Sequence, residues 1–205
     1  MKSLLILSLG LLGCGCLLAQ DTNSKVIHQY RYVNLSGGYV PGHGDMPAFA
    51  GFELDGAFEY RNGLIWLDLE SFSETGDATF GANMNRTRAG LGYVIRRDQN
   101  RLNLLPCLGV SYLKITEDDL FGGETTLVKT TAIEPSVTFS YACNHRFSLN
   151  IGYALDADVD SGATVSQFKA GAVFALSRRW GVRFSGTVAT DRNYNRLFAG
   201  LEFHF

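Results

Sequence analysis

The chain has 205 residues, which is enough for one domain or one barrel. Its 18 basic and 20 acidic side chains give a formal net charge of −2, which excludes a strongly basic nucleic-acid-binding protein. With 19% charged residues, 12% aromatic residues, 23 Gly and only 4 Pro, the composition is neither that of a disordered chain nor that of a long helical bundle.

The first nineteen residues are typical of a secretory signal peptide. Residues 1–3 form a short basic start and residues 4–18 are almost wholly apolar, so we expect cleavage after Ala19.

Two other interpretations of this start remain open. The apolar run could be a retained membrane helix, although it is short for one and no charged stop-transfer flank follows. It could also contain a lipoprotein cleavage box that leaves a lipidated Cys14. The expected organisation is a signal peptide at 1–19, a short periplasmic segment at 20–29 and one folded domain at 30–205.

Beyond the signal peptide, the sequence alternates apolar and polar residues with the period of two that is typical of β-strands. In residues 147–155 every odd-numbered residue is large and apolar, whereas the residues between them are small or polar. The same reading predicts ten strands, joined by alternately longer and shorter connections, near 30–39, 49–60, 64–74, 83–96, 102–115, 126–141, 147–157, 164–176, 182–190 and 196–205.

The alternation fits both a soluble secreted barrel or sandwich and a membrane barrel. An even number of strands of about ten residues, with connections that alternate in length, favours the membrane barrel. Aromatic residues also flank the shorter turns, as in an interfacial girdle: Tyr60, Tyr93, Tyr141, Phe147, Trp180 and Phe205. We therefore predict a closed, antiparallel, up-and-down transmembrane β-barrel of about ten strands, with eight as the alternative.

The last ten residues carry a resemblance to a known family. They end in an aromatic residue with apolar residues alternating back from it, and in this the chain resembles bacterial outer-membrane β-barrel proteins. By that resemblance Leu201, Phe203 and Phe205 form the signal that the barrel-assembly machinery reads. The chain is similar to the small-barrel class that includes the eight-stranded OmpA-type, OmpX-type and OmpW-type proteins.

The resemblance implies a location in the outer membrane of a Gram-negative bacterium, with both termini periplasmic. Outer-membrane lipids and the assembly machinery are the implied partners. No nucleic acid is expected, and any partner at the cell surface is unknown.

The charged faces of the predicted strands should point inward, because a lipid-facing charge costs about 2–4 kcal/mol at the bilayer midplane. We expect these charges to form a salt-bridged lumen network: Glu53, Asp55, Glu59, Asp68, Glu70, Arg86, Arg88, Glu134, Lys169, Arg183, Arg196 and Glu202. Side chains just fill a barrel of eight strands, and two more strands add little width. We therefore predict a structural barrel or a very narrow porin-like channel rather than a wide, charge-lined conduction path.

Two other functions are weighed against this prediction. The first is a surface-binding, adhesin-like barrel that uses its outer loops, although these are short. The second is a lipid-modifying enzyme, but only His43 of the four histidines falls on the outer side, and no Ser-His-acid set is visible. Ten-stranded omptin proteases carry their catalytic pairs on long outer extensions, for which this chain has no room. We expect no catalytic residues, no cofactor and no metal site.

Charge is polarised between the two ends of the predicted barrel. The short turns carry Arg61, Arg96, Arg97, Arg101, Arg146, Arg178 and Arg179, and the longer loops carry Asp45, Glu74, Asp77, Glu117, Asp118, Asp119, Glu124, Asp158, Asp160 and Asp191. Either both ends are simply hydrated, or the arginine end faces anionic lipid.

The mature chain has two cysteines, Cys107 on the predicted fifth strand and Cys143 in the short turn after the sixth. If the hairpin of these two strands is symmetric about the middle of its loop, Cys107 faces Glu134 and lies too far from Cys143 for a disulfide bond. The same symmetry places Pro106 opposite Pro135, which predicts a bulge or gap in the sheet there.

Overall fold

The computed structural model describes residues 30–42, 47–75, 81–97, 101–118, 123–190 and 195–205. The predicted signal peptide, the 20–29 segment, His28 and His43 lie outside these residues. No helix in the described part is long and apolar enough to cross a membrane.

The described residues form ten β-strands in chain order. They are β1 (Arg31–Val40), β2 (Phe49–Tyr60), β3 (Gly63–Glu74), β4 (Ala82–Tyr93, continued by Ile95–Arg97), β5 (Leu102–Asp118), β6 (Glu124–Ala142), β7 (Phe147–Asp158), β8 (Thr164–Ala175), β9 (Trp180–Ala189) and β10 (Arg196–His204). All ten overlap the strands predicted from the alternation of apolar and polar residues.

The strands close into a barrel. Each pairs antiparallel with its neighbour in sequence, and β10 pairs antiparallel with β1, where Leu201 lies opposite Leu35. Closure leaves no open sheet edge around the wall, as a bilayer requires. The predicted closed, ten-stranded, up-and-down β-barrel is therefore confirmed.

The outer and inner faces of the wall differ in polarity as the sequence predicts. Large apolar side chains point outward, and Leu35 and Ile151 are 59% and 64% exposed. Charged side chains point inward, and Glu70 and Glu134 are 3% and 0% exposed. In water this pattern would be inside out, but it suits a wall that has lipid outside and a polar lumen inside.

The short turns and the aromatic residues lie at one end of the barrel. The turn between β2 and β3 has two residues, Arg61 and Asn62, with φ values of 49° and 71°, and this left-handed pair suits the twist of a tight hairpin. The outward-facing aromatic side chains next to the short turns form a girdle: Tyr60, Tyr93, Tyr141, Trp180 and Phe205.

Two prolines coincide with gaps in the hydrogen-bond ladders. The register between β4 and β5 is the same before and after Val94. The hydrogen-bond ladder between them is nevertheless interrupted where Pro106 faces Tyr93. The β6–β7 ladder is interrupted in the same way at Pro135. Since proline has no N–H group, each gap lies where a ladder donor is missing.

The predicted pairing of the β5–β6 hairpin is wrong by two residues. Pro106 lies opposite Val137 and Cys107 opposite Ser136, not Glu134, so the two prolines do not face each other. Cys107 and Cys143 are not joined by a disulfide bond.

The cause of the wrong register is the upper part of this hairpin. Both strands are longer than predicted, and the register shifts at an irregularity between Ile115 and Thr116. Above the irregularity the pairing already differs from the symmetric count by one residue, since Thr116 lies opposite Thr126 instead of Thr125, and the extra residue in β6 adds the second.

Candidate functional site

A cluster of ion pairs crosses the lumen from β3 to β4 and β10. An Arg196 Nη1 atom lies 2.7 Å from Glu70 Oε2, and Arg88 Nη2 lies 2.5 Å from Glu70 Oε1. Arg88 also contacts Asp68 and lies 3.8 Å from Glu53. Because β10 and β3 are separated by two other strands, the Arg196–Glu70 pair spans part of the lumen rather than following the wall.

A second cluster connects β4 with β6, β7 and β8. The Arg86 guanidinium lies 2.5 Å from Asp156 Oδ2 and 3.6 Å from Glu134 Oε2. Lys169 Nζ lies 2.7 Å from Glu134 Oε1. Arg86 and Asp156 are again on strands that are not neighbours, so this contact also bridges the lumen.

Gln167 joins the two clusters. Its side-chain amide nitrogen donates to Asp156 Oδ2 at 2.5 Å, and its amide oxygen accepts from Arg196 Nη2 at 3.0 Å. Gln167 is itself buried. The connected set is called the charged belt below: Glu53, Asp68, Glu70, Arg86, Arg88, Glu134, Asp156, Gln167, Lys169 and Arg196.

A separate group of charges lies nearer the short-turn end. Arg183 Nη1 lies 3.0 Å from Asp55 Oδ1, and the other terminal nitrogen contacts Glu202. The Arg183 guanidinium also lies 4.3 Å from the centre of the Tyr32 ring, which is a cation–π distance. Asn34 donates to Asp55 Oδ2 at 3.1 Å. These contacts hold β1, β2, β9 and β10 together across their inner faces.

One arginine assigned to a turn belongs to the lumen instead. Arg96 was expected at the exposed short-turn end, but it lies on the continuation of β4 and contacts Glu59. Its distance to the second Glu59 oxygen is 2.5 Å. Val94, fully buried beside the ladder gap, separates Arg96 from the main part of β4.

The lumen also contains apolar side chains and two cavities. A buried apolar cluster lies toward the long-loop end, made of Val40, Phe49, Phe72, Ala82, Met84, Ile115 and Phe198. A cavity of about 270 Å³, which Tyr32, Trp66 and Cys107 help to line, extends toward the short turns. A smaller one of about 50 Å³, which Met84 and Asp158 help to line, lies toward the loops. The charged belt contributes to both linings.

All twelve residues predicted for the lumen lie on the inner face, and every one takes part in an ion pair. Sequence reasoning missed Asp156, Gln167 and Arg96. Asp156 and Gln167 lie on the inward parity of their strands, so the alternation contained the signal. Arg96 also has the inward parity of Arg86 and Arg88, because the register of β4 is the same on both sides of Val94, but it was assigned to the short turn.

Three carboxylates of the belt have the spacing of a possible cation site. Oxygens of Glu53, Asp68 and Glu70 all lie within 4.8 Å of one another. The Arg88 guanidinium lies against all three, so an internal cation already occupies the position between them.

The predicted assembly signal lies at the barrel seam. Leu201 and Phe205 are exposed on the outer surface, and the Phe203 ring meets Trp180 edge-on at 4.9 Å. The backbone N–H of Phe205 donates to the Arg31 carbonyl at 3.2 Å, which ties the end of the chain to β1. The role of these residues in assembly stays a prediction.

The β5–β6 hairpin extends beyond its neighbour at the long-loop end. β7 pairs with β6 only from Ala132 downward, so the β7-side edge of residues 124–130 meets no other described strand. At the loop end of this overhang Thr116 donates to Glu124 at 2.7 Å, and this hydroxyl, together with Lys114, lowers the pKa of the exposed Glu124 carboxyl.

Comparison with known proteins supports the fold. No protein-family model and no curated protein matches the sequence. The transport unit of the autotransporter AIDA-I from Escherichia coli is similar, with a TM-score of 0.51 and 12% identity over 96% of this chain and 97% of that one. The translocator domain of the autotransporter NalP from Neisseria meningitidis has a TM-score of 0.50 and 12% identity over 97% and 96%.

A smaller barrel is a more distant neighbour. Ail, the attachment invasion locus protein of Yersinia pestis, has a TM-score of 0.45 and 12% identity over 87% of this chain and 100% of that one. At such identities the likeness concerns the fold alone. The predicted resemblance to small outer-membrane β-barrels is confirmed at that level, and no subfamily is assigned.

Proposed function

We propose that this chain is an integral outer-membrane β-barrel whose lumen is closed by the charged belt, so that it acts as a structural barrel or a very narrow channel. The observation that carries the proposal is the set of contacts between strands that are not neighbours. Arg196 of β10 reaches Glu70 of β3, and Arg86 of β4 reaches Asp156 of β7. Ion pairs along the wall would leave the centre open, whereas pairs that span the lumen occupy it.

The outer-membrane location is supported by the wall itself. Its outer face is apolar, an aromatic girdle surrounds one end, and the polar residues face inward. The start of β1 and the end of β10 lie together at the short-turn end, where the Phe205 N–H donates to the Arg31 carbonyl. In an outer-membrane barrel the short turns face the periplasm, and we therefore propose that both termini are periplasmic.

Any ion flow through the lumen should favour cations. Among the described lumen residues, eight carboxylates and six Lys or Arg side chains take part in ion pairs. In a narrow, low-dielectric passage a local excess of carboxylate attracts cations and repels anions.

Conductance in planar bilayers tests this proposal. The refolded wild type should conduct far less than an open, water-filled porin. Arg196→Gln should raise conductance, because it releases Glu70 and Gln167 from one side of the lumen. The control is Arg97→Gln, which removes an exposed arginine at the end of β4. High wild-type conductance would contradict a closed lumen, and equal conductance in all three proteins would contradict the role of Arg196 in closing it.

A second function, surface binding, is supported by the β5–β6 overhang. Its unpaired edge offers backbone donors and acceptors to an extended partner segment. Replacing residues 116–126 by an Asn-Gly turn should leave conductance unchanged. If the replacement also abolishes adhesion of barrel-expressing bacteria to cultured cells, surface binding is the better description. Unchanged adhesion would count against it.

A further inference from the structure

Every short turn of the barrel carries at least one arginine. This group is called the arginine ring below, and it consists of Arg61, Arg97, Arg101, Arg146, Arg178 and Arg179. All are exposed except Arg101, which is half-buried. Because the turns are spread around the barrel, the positive charges surround it rather than forming a single pocket.

The arginine ring is not neutralised by described residues. None of its guanidinium groups forms a salt bridge with a described carboxylate. The nearby acids Glu59 and Glu202 face the lumen and are held by Arg96 and Arg183. Asp98 is the one acidic residue of these turns in the sequence, and it lies outside the described part.

The arginine ring directly adjoins the aromatic girdle. The Arg61 guanidinium lies 5.3 Å from the centre of the Tyr60 ring, and Arg178 and Arg179 immediately precede Trp180. Tyr and Trp side chains at such a girdle lie at the level of lipid headgroups. Since a strand rises about 3.3 Å per residue, arginines one or two residues further along lie within the same headgroup layer or just outside it.

We infer that the arginine ring binds the headgroups of anionic phospholipids in the leaflet at the short-turn end. Guanidinium groups recognise phosphate with two parallel hydrogen bonds, which suits a headgroup phosphate. A ring of charges around a barrel matches an annulus of lipids better than one soluble molecule. The long-loop end exposes Asp118, Glu124 and Asp160, so the same lipids would be repelled there. The inference assumes the membrane location proposed above but not the closed lumen.

Quenching of Trp180 fluorescence by brominated lipids tests this inference. The chain has two Trp residues, and Trp66 lines the lumen cavity whereas Trp180 is exposed on the outer surface. A Trp66→Phe variant therefore reports on Trp180 alone, and if it does not fold, the wild type serves with Trp66 as a constant background. The protein is refolded into phosphatidylcholine vesicles that contain brominated phosphatidylglycerol or, at the same mole fraction, brominated phosphatidylcholine.

Brominated phosphatidylglycerol should quench Trp180 several-fold more effectively than brominated phosphatidylcholine. A basic residue near an anionic surface contributes about fivefold in affinity, and salt screens the effect, so the preference should fall in 1 M NaCl. Arg178→Gln together with Arg179→Gln should remove most of the preference. The control, Lys129→Gln, removes an exposed cation from the long-loop end and should preserve it.

The outcomes separate this inference from the proposed function. Equal quenching by the two lipids in the wild type, or a preference that survives in the double variant, would overturn the arginine ring as a lipid site. Loss of the preference on adding inorganic phosphate to the buffer would assign the site to free phosphate and also overturn it. Absence of quenching by either lipid would contradict membrane insertion itself.

Discussion

Arg88 interacts with three lumen carboxylates, which lie on two different strands. It lies opposite Asp68 on β3, and its side chain reaches Glu70 on the same strand at 2.5 Å and Glu53 on β2 at 3.8 Å. The planar guanidinium suits this task, because its five donors can serve several carboxylates at once. Without Arg88, three buried carboxylates would share one confined space.

Arg88→Ala should therefore destabilise the barrel strongly. Removing one partner of a buried ion-pair network typically costs about 3–5 kcal/mol, because the remaining charges stay buried without compensation. Urea unfolding of the detergent-refolded protein, followed by Trp fluorescence, measures the effect. Arg97→Ala at the exposed end of β4 should shift the free energy of unfolding by less than about 0.5 kcal/mol. Matching midpoints for both variants would mean that Arg88 has no structural role in the belt.

Glycines make room for the Trp66 ring inside the lumen. A Cβ atom added to Gly109 would lie 2.6 Å from Trp66 Cζ2, and one added to Gly90 would lie 2.8 Å from the same ring. Gly37 is a matched control, since a Cβ there would meet no atom within 4 Å.

Gly109→Ala should displace the indole or the wall and cost about 1–3 kcal/mol, as overpacking does elsewhere. Gly37→Ala should be close to neutral. Unfolding midpoints and the Trp emission maximum of the two variants test the difference. If both glycines tolerate Ala equally well, the lumen is less tightly packed around Trp66 than the structure indicates.

At the scale of the strands, the last strand closes the barrel. β10 pairs with both β9 and β1, and Phe203 packs on Trp180 from the neighbouring strand. Phe205→Ser, or deletion of Phe203 to Phe205, should lower the yield of inserted protein several-fold because the seam between β10 and β1 would be weakened. Asp160→Asn in the exposed β7–β8 turn is the control. Equal amounts of all variants in isolated membranes would refute the prediction.

The strands also show which features could be predicted from sequence. Period-two alternation was enough to predict ten strands and to place residues such as Glu70 and Arg196 on the inner face. The side of the sheet on which a side chain lies depends only on whether its position in the strand is odd or even. Pairing depends on more than parity. In the β5–β6 hairpin neither the centre of the loop nor the irregularity at Ile115 and Thr116 is marked by any residue type, and each contributes one residue to the error in the symmetric register.

The candidate site was predictable in its members but not in its contacts. Parity placed twelve charges in the lumen, whereas their partners depend on how far each strand is shifted along its neighbours. Arg196 therefore meets Glu70 across two intervening strands, which no local pattern indicates. Arg96 was misassigned because β4 continues past Val94 to Arg97, so that Arg96 keeps the inward parity of the strand.

At the scale of the whole molecule, closure and an apolar outer wall predict a heat-modifiable membrane protein. The expressed protein should fractionate with outer membranes and migrate faster in SDS gels before heating than after, because a closed barrel resists unfolding by detergent. The control is a boiled sample, which should migrate at the position of the unfolded chain. Release into the soluble fraction after osmotic shock would exclude this location.

The central claim is that the charged belt separates the two ends of the lumen, and the native cysteines allow a direct test. Cys107 lines the cavity on the short-turn side of the belt, and Cys143 lies in a short turn. In proteoliposomes treated from outside with a small, charged methanethiosulfonate, labelling of Cys143 gives the fraction of barrels whose short turns face outward. A closed belt predicts that Cys107 is labelled only within that same fraction. Labelling of Cys107 in barrels of both orientations would show that the reagent passes the belt, and would contradict the account.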